Sequence, residues 1–171
     1  DSANRSLFKD GFNIQDISGV RVFMLKMNQT AASPLHDKDV RNAVAHIINY
    51  DSMAKIIGNG STPGAAPFPP SANLGYDTIA NKATTDVAKA DQILTQAGYA
   101  KNANGVYAKD GKELSLTLAV WGKDTSMYEE IQQELKQAGI NVTLKKLQSP
   151  DEVDTLGTDG FDLVERNVIT M

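Results

Sequence analysis

The chain has 171 residues, a formal net charge of -4 from 17 basic and 21 acidic side chains, and no cysteine. The charges are spread along its length, leaving no basic stripe for a phosphate backbone, and no apolar run approaches the roughly 20 residues a helix needs to cross a bilayer. Without cysteine there are no disulfides, thiolate metal sites or cysteine nucleophiles, while a hydrophobic share of 41% is enough for a packed core.

The first element is the run Val20 to Met27, apolar on both sides of its alternation and bounded by Gly19 and Asn28. That pattern predicts a strand buried on both faces of a sheet. After a polar loop with Pro34, Asp37 stands as N-cap before a helical stripe of Val40, Ala43, Val44, Ile47 and Ile48. Asp51 is placed to cap a shorter helix through Met53, Ile56 and Ile57, ended by Gly58 and Gly60. Between residues 59 and 85, Pro63, Gly64, Pro67, Pro69, Pro70, Asn73 and Gly75 break all periodicity. A loop that long in a compact domain is usually functional or wraps a surface, and Phe68, Leu74, Tyr76 and Ile79 would anchor it.

Val87, Ala90, Leu94 and Ala97 mark the next helix, with Gly98 as its left-handed stop. Asp110-Gly111 signals a tight hairpin between Val106-Tyr107-Ala108 and the strand that begins at Leu114. Leu114, Leu116, Leu118 and Val120 alternate with smaller residues, as a strand with one face in the core does. Ser126 and Glu129 have capping-box spacing, opening a helix with Met127, Ile131, Leu135 and Ala138 on one face and Gly139 at its end. Ile140, Val142 and Leu144 form a strand, Asp151 starts a short helix, and Phe161-Asp162-Leu163-Val164 is a short last strand. Strand, helix, strand, helix, strand from Leu114 onward favours parallel pairing with right-handed crossovers, so the fold class is α/β, or α+β with a mixed sheet.

Several of these runs, in this order, resemble one family. Phe23-Met24-Leu25-Lys26-Met27-Asn28 followed by Pro34-Leu35-His36-Asp37 and Val40-Arg41-Asn42-Ala43-Val44 is similar to the opening signature of the family 5 extracellular solute-binding proteins. These are the substrate receptors of peptide, dipeptide and nickel ABC importers. Ile47-Ile48-Asn49-Tyr50-Asp51, Ala88-Lys89-Ala90 with Leu94 and Ala97-Gly98-Tyr99, the Gly105 to Leu118 hairpin unit, Ile131-Leu135-Gly139-Ile140-Val142 and Phe161-Asp162-Leu163 resemble later motifs of that family. Each motif is weak alone, and five in register are strong together.

The resemblance implies one lobe of a bilobed, type II periplasmic-binding-protein-like clamp. It makes residues 1–171 a single excised ligand-binding lobe with a core of about 18–166. It further implies a small solute as cargo, a missing second lobe, ABC permease subunits as partners, no cofactor, and export to the periplasm or to the cell surface as a lipoprotein. The targeting segment is then expected upstream of Asp1. Peptide-binding members tend to carry Gly-Trp just beyond the last strand, where this chain has Glu165-Arg166-Asn167. Ala66-Pro67-Phe68-Pro69-Pro70 with Asn73-Leu74-Gly75-Tyr76 is closer to nickel-type members. The expected cargo is therefore nickel or a nickel chelate, with oligopeptide as the other choice.

Ligands in open α/β sheets sit at the carboxyl ends of strands and at helix N-termini. Two places qualify. In Trp121-Gly122-Lys123-Asp124-Thr125, the sole tryptophan would supply a flat contact surface, with Lys123 and Thr125 beside it at a helix start. The alternative is an ordinary strand-to-helix turn with Trp121 packed on the sheet. Beyond the last strand, Arg166 could clamp a ligand carboxylate beside Asn167, or could be a surface arginine paired with Glu165 or Asp162.

His36 and His46 do not make a metal site, which needs converging ligands; a structural role is the simpler reading. The acid pairs Glu129-Glu130 and Asp151-Glu152 fall in first helical turns, where the dipole favours acids. Ser126 lacks a nucleophile elbow, and Gly58 to Gly60 lacks the Lys-Ser/Thr of a phosphate loop. No catalytic set emerges, and a binding module is the expectation. The other readings are a hydrolase or transferase domain whose catalytic residues lie outside this chain, and a purely structural or adhesion domain.

Overall fold

A computed structural model describes residues 7, 11, 21–58, 60–64, 66–69, 78, 84–157 and 160–169. The central feature is a four-stranded mixed sheet built from β1 (Arg21–Met27), β5 (Ser115–Val120), β6 (Asn141–Lys146) and β7 (Leu163–Ile169). Its order is β1-β7-β5-β6. β5 runs parallel to both β6 and β7, as the strand-helix-strand reading requires, and β1 pairs antiparallel with β7. A second, three-stranded sheet of β2 (Ala100–Lys101), β3 (Tyr107–Lys109) and β4 (Lys112–Glu113) lies at the amino end of β5.

One face of the main sheet carries the helices α1 (Lys38–Ile47), α2 (Tyr50–Ile57), α3 (Val87–Gln96) and α4 (Ser126–Ala138). Leu116, Leu118, Val120 and Leu163 of the sheet meet Val40, Val44, Leu94, Ile131 and Leu135 there, forming the main core. The other face holds a smaller cluster of Ala119, Leu147, Val153 and Val164, capped by Trp121, Leu156 and Phe161. Val153 comes from α5 (Glu152–Leu156), the short helix expected after Pro150. This second cluster explains why β5 is buried on both faces at its carboxyl end, where simple alternation indicates one buried face.

Local chemistry accounts for most element ends. The Asp37 side chain caps α1 by accepting from the Asp39 amide, as its position predicts. α3 stops at a Schellman turn, with Gly98 donating to Thr95 and Tyr99 donating to Leu94. Asp110 and Gly111 both adopt positive φ, 54° and 76°, the mirror-image turn that matches strand twist in a two-residue hairpin.

The structure corrects five expectations. β1 is an edge strand with Phe23 38% exposed, not a strand buried on both faces, because β7 is its one neighbour among the described residues. α2 is capped by Asn49, whose side chain accepts from the Ser52 amide, and Asp51 lies inside the helix. At α4 the N-cap is Thr125; its hydroxyl donates to Glu129 at 2.6 Å, while Ser126 donates to Asp124. The hairpin's second strand ends at Glu113, and the chain passes through Leu114 into the main sheet as β5. The last strand continues to Ile169, so Glu165, Arg166 and Asn167 lie within β7 rather than beyond it. Of the long loop, Leu74, Tyr76 and Ile79 lie outside the described residues, as do Asn73 and Gly75.

Candidate functional site at the carboxyl end of the sheet

The two ends of β5 differ. At its amino end the backbone is tied into its neighbours by hydrogen bonds. The Tyr107 amide donates to Gly139 at 2.8 Å, the Leu114 amide to Tyr107 at 2.7 Å, and the Asn141 amide to Leu114 at 3.0 Å. The Tyr107 hydroxyl donates to Asp91, which also pairs with Lys101. Burial, then the Asp91 contact, pushes the Tyr107 phenol well above its usual range.

At the carboxyl end, β7 outruns β5. Pairing of β7 with β5 stops at Val164, and among the described residues 165–169 pair only with β1. The last turns of this two-stranded ribbon expose Phe23, Val168 and Ile169. Strand alternation puts Leu163, Glu165 and Asn167 on the helix-covered face and Val164 and Arg166 on the other. Glu165 is 6% exposed, the only acidic or basic side chain buried among the described residues.

Tyr128 lies over this position from the first turn of α4. Its hydroxyl lies near the Glu165 carboxylate, and the Asn167 amide approaches the same carboxylate at 3.5 Å. Burial raises the Glu165 carboxyl above the ordinary range despite these neighbours and the positive charges of Arg166 and Arg21. Burial and the adjacent Glu165 push the Tyr128 phenol up to about 12, so it is a protonated donor at neutral pH. Trp121 completes the cluster: its ring centroid is 5.9 Å from that of Tyr128, at a 57° tilt.

The expected site residues therefore divide. Trp121 sits half-buried in the cluster, and Asn167 touches it through Glu165. Lys123 is exposed on the β5–α4 loop, and the Thr125 hydroxyl is engaged with Glu129. Arg166 faces away: its guanidinium meets Asp154 at 3.1 Å and the Pro150 carbonyl at 3.4 Å. Tyr128 and the burial of Glu165 were not anticipated. The signal for Tyr128 was its three-residue step to Ile131 on the stripe that continues to Leu135 and Ala138.

His36 and His46 each spend a ring nitrogen on a backbone carbonyl, those of Gln29 and Thr84. No three potential metal-ligating His, Cys, Asp or Glu side chains gather among the described residues. An open hollow of about 470 Å³ at the end of α2, lined by Asp51, Lys55, Ser61 and Thr62, is separate from the carboxyl-end cluster. The cluster itself is a shelf of two aromatic rings, a buried acid and an amide. Within it Trp121 is half-buried and Asn167 exposed, so these two are the groups open to solvent.

The chain is 33% identical over 128 residues to the oligopeptide-binding protein OppA of Lactococcus lactis subsp. cremoris, a match covering 68% of this chain and 20% of that protein. Its fold superposes on Brucella suis NikA, solved with Fe(III)-EDTA, at a TM-score of 0.71 and 28% identity, covering 88% of this chain and 31% of NikA. The fold alone is shared with Campylobacter jejuni NikZ, solved with Ni(L-His), at a TM-score of 0.78 and 19% identity, covering 99% of this chain and 34% of NikZ. The chain thus spans about a fifth to a third of the proteins it matches. Residues 2–168 match the bacterial extracellular solute-binding proteins, family 5 Middle, and the chain belongs to that family.

Proposed function

We propose that this chain is one lobe of an exported solute receptor that captures cargo for an ABC importer. The observation that carries the reading is a family match across nearly the whole chain that fills only about a third of each related structure. The carboxyl-end shelf supports it. Trp121, half-buried at the end of β5, provides flat amphipathic surface, and β7 extends past the sheet to the exposed Val168 and Ile169. Capture would proceed by closure of a second lobe over the solute, followed by delivery to permease subunits, with no bond made or broken.

The cargo in this reading is a nickel chelate or an oligopeptide. A chelate fits a lobe whose own side chains offer no converging metal ligands among those described, because its organic part supplies the contacts. Location in the periplasm, or at the cell surface as a lipoprotein, follows from the same reading.

Native mass spectrometry of the full-length parent purified from its own compartment tests this. The expected spectrum shows a small solute bound one to one, released on denaturation. A parent that leaves the cell empty, and binds neither peptide mixtures nor nickel-histidine in vitro, would overturn the proposal.

A further inference from the structure

The short helix α5 needs support from outside itself. Its 5 residues are too few for a helix to persist in water alone, and its N-cap, Asp151, makes no side-chain cap bond. Packing supplies part of that support. Val153 is buried with Ala119, Leu147 and Val164, and Leu156 packs on the same cluster. Arg166 supplies the polar part, from the face of β7 that strand alternation gives it. Its Nη1 donates to the Pro150 carbonyl at 3.4 Å and its Nη2 to the Asp154 carboxylate at 3.1 Å, so one guanidinium spans the first turn of α5. A planar guanidinium fixes the spacing of two acceptors, which an ammonium cannot do.

The cluster that seats α5 also seats Trp121. The indole packs on it from the end of β5, as Phe161 does. The Leu147 amide donates to the Val120 carbonyl at 2.7 Å and so fixes the backbone one residue before the ring. The ring also meets Tyr128, which is anchored in the main core by the 13-residue helix α4. Of the two supports of the indole, the one that includes α5 is the smaller and the more easily displaced.

We propose that Arg166 is a positioning residue. By holding α5 on the sheet through Pro150 and Asp154 it sets the packing of Trp121, and thereby the affinity for cargo, without touching the cargo itself. This rests on the solute-capture reading above and gives the arginine an indirect part in it. A ring already held in place loses less freedom when a solute docks on it, and that difference appears as affinity. The Asp154 side chain is 82% exposed, and so exposed an ion pair is a modest restraint. Its loss should therefore weaken binding about threefold, less than loss of the indole.

The test uses the full-length receptor as wild type, Arg166→Ala, Asp154→Ala, the double variant and Arg166→Lys. Each is labelled with fluorotryptophan, and the Trp121 fluorine resonance is identified by its disappearance in Trp121→Phe. Affinity is measured with nickel-histidine and with a peptide mixture. The Trp121 resonance is expected to shift or broaden alike in both alanine variants, and each should bind about threefold more weakly than wild type. The double variant should be no weaker than either single one, because both remove the same contact. Arg166→Lys, which keeps the charge and loses the fork, should fall between.

A Trp121 resonance unmoved by Arg166→Ala would overturn the proposal, as would unchanged affinity in both alanine variants. Weakened binding in Arg166→Ala beside normal binding in Asp154→Ala would also overturn it, since that is the pattern of an arginine gripping cargo directly. A wild type that takes up neither probe, while both alanine variants move the resonance, would overturn solute capture and leave the link from Arg166 to Trp121 standing.

Discussion

The amino end of β5 is sealed and the carboxyl end is not, although the same strand builds both. At the amino end, Tyr107, Leu114, Gly139 and Asn141 exchange backbone hydrogen bonds, and Asp91 has both a tyrosine and a lysine as partners. At the carboxyl end a buried acid is in neither ion pair of the described residues, and Phe23, Val168 and Ile169 face solvent. On the proposed reading, the contrast gives stability to one end and recognition to the other. Polar groups with all their partners rigidify a fold.

Substitutions at the sealed end should cost stability and leave cargo choice alone. Tyr107→Ala removes a side chain 2% exposed that contacts α3, Gly139 and the hairpin; it should lower the unfolding free energy by about 3–5 kcal/mol in urea titration. Gly139→Ala should cost about 2–3 kcal/mol. Its φ is 104°, and a Cβ there would sit 2.6 Å from the Gly105 carbonyl oxygen and 3.3 Å from the Tyr107 ring, so the backbone must move. If either variant changed which solute the full-length receptor carries, the division between the ends would fail.

Substitutions at the open end should do the reverse. Trp121→Ala should cost only about 1 kcal/mol of stability, because the ring is half-buried, but should weaken cargo binding about tenfold or more in calorimetry. The smallest expected effect is on pH dependence. Burial holds the folded Glu165 carboxyl above its unfolded value, so its contribution to stability is full below the ordinary carboxyl range and is lost as pH rises through the raised value. Glu165→Gln removes that loss. The variant should therefore gain on unliganded wild type, by under about 1 kcal/mol, between about pH 4 and about pH 7. A gap that shrinks over that range would contradict a carboxyl raised by burial.

Where the sequence was legible, local physics decides the outcome. Asp37, Gly98, Asp110-Gly111 and Gly139 sit where side-chain caps and left-handed turns demand them, and the parallel β5–β6 unit follows from its periodicity. Misreadings arose where long-range packing decides. β1 has the apolar content of a central strand, but nothing local says that β7 is its only neighbour among the described residues. The polar residues Glu165, Arg166 and Asn167 mask the continuation of β7, because only pairing with β1 carries the strand through them. Trp121 was recognisable as a candidate from its place between strand and helix. The burial of Glu165 was not, since it depends on Tyr128 arriving from another element.

The central claim is that cargo is gripped between this carboxyl-end shelf and a second lobe. Calorimetric titration of the isolated chain, beside the full-length receptor, with the solute found on the latter, tests it most directly. The expected result is tight one-to-one binding by the full-length receptor and no measurable heat with the isolated chain. Equal affinity for both would mean that this lobe holds its ligand unaided.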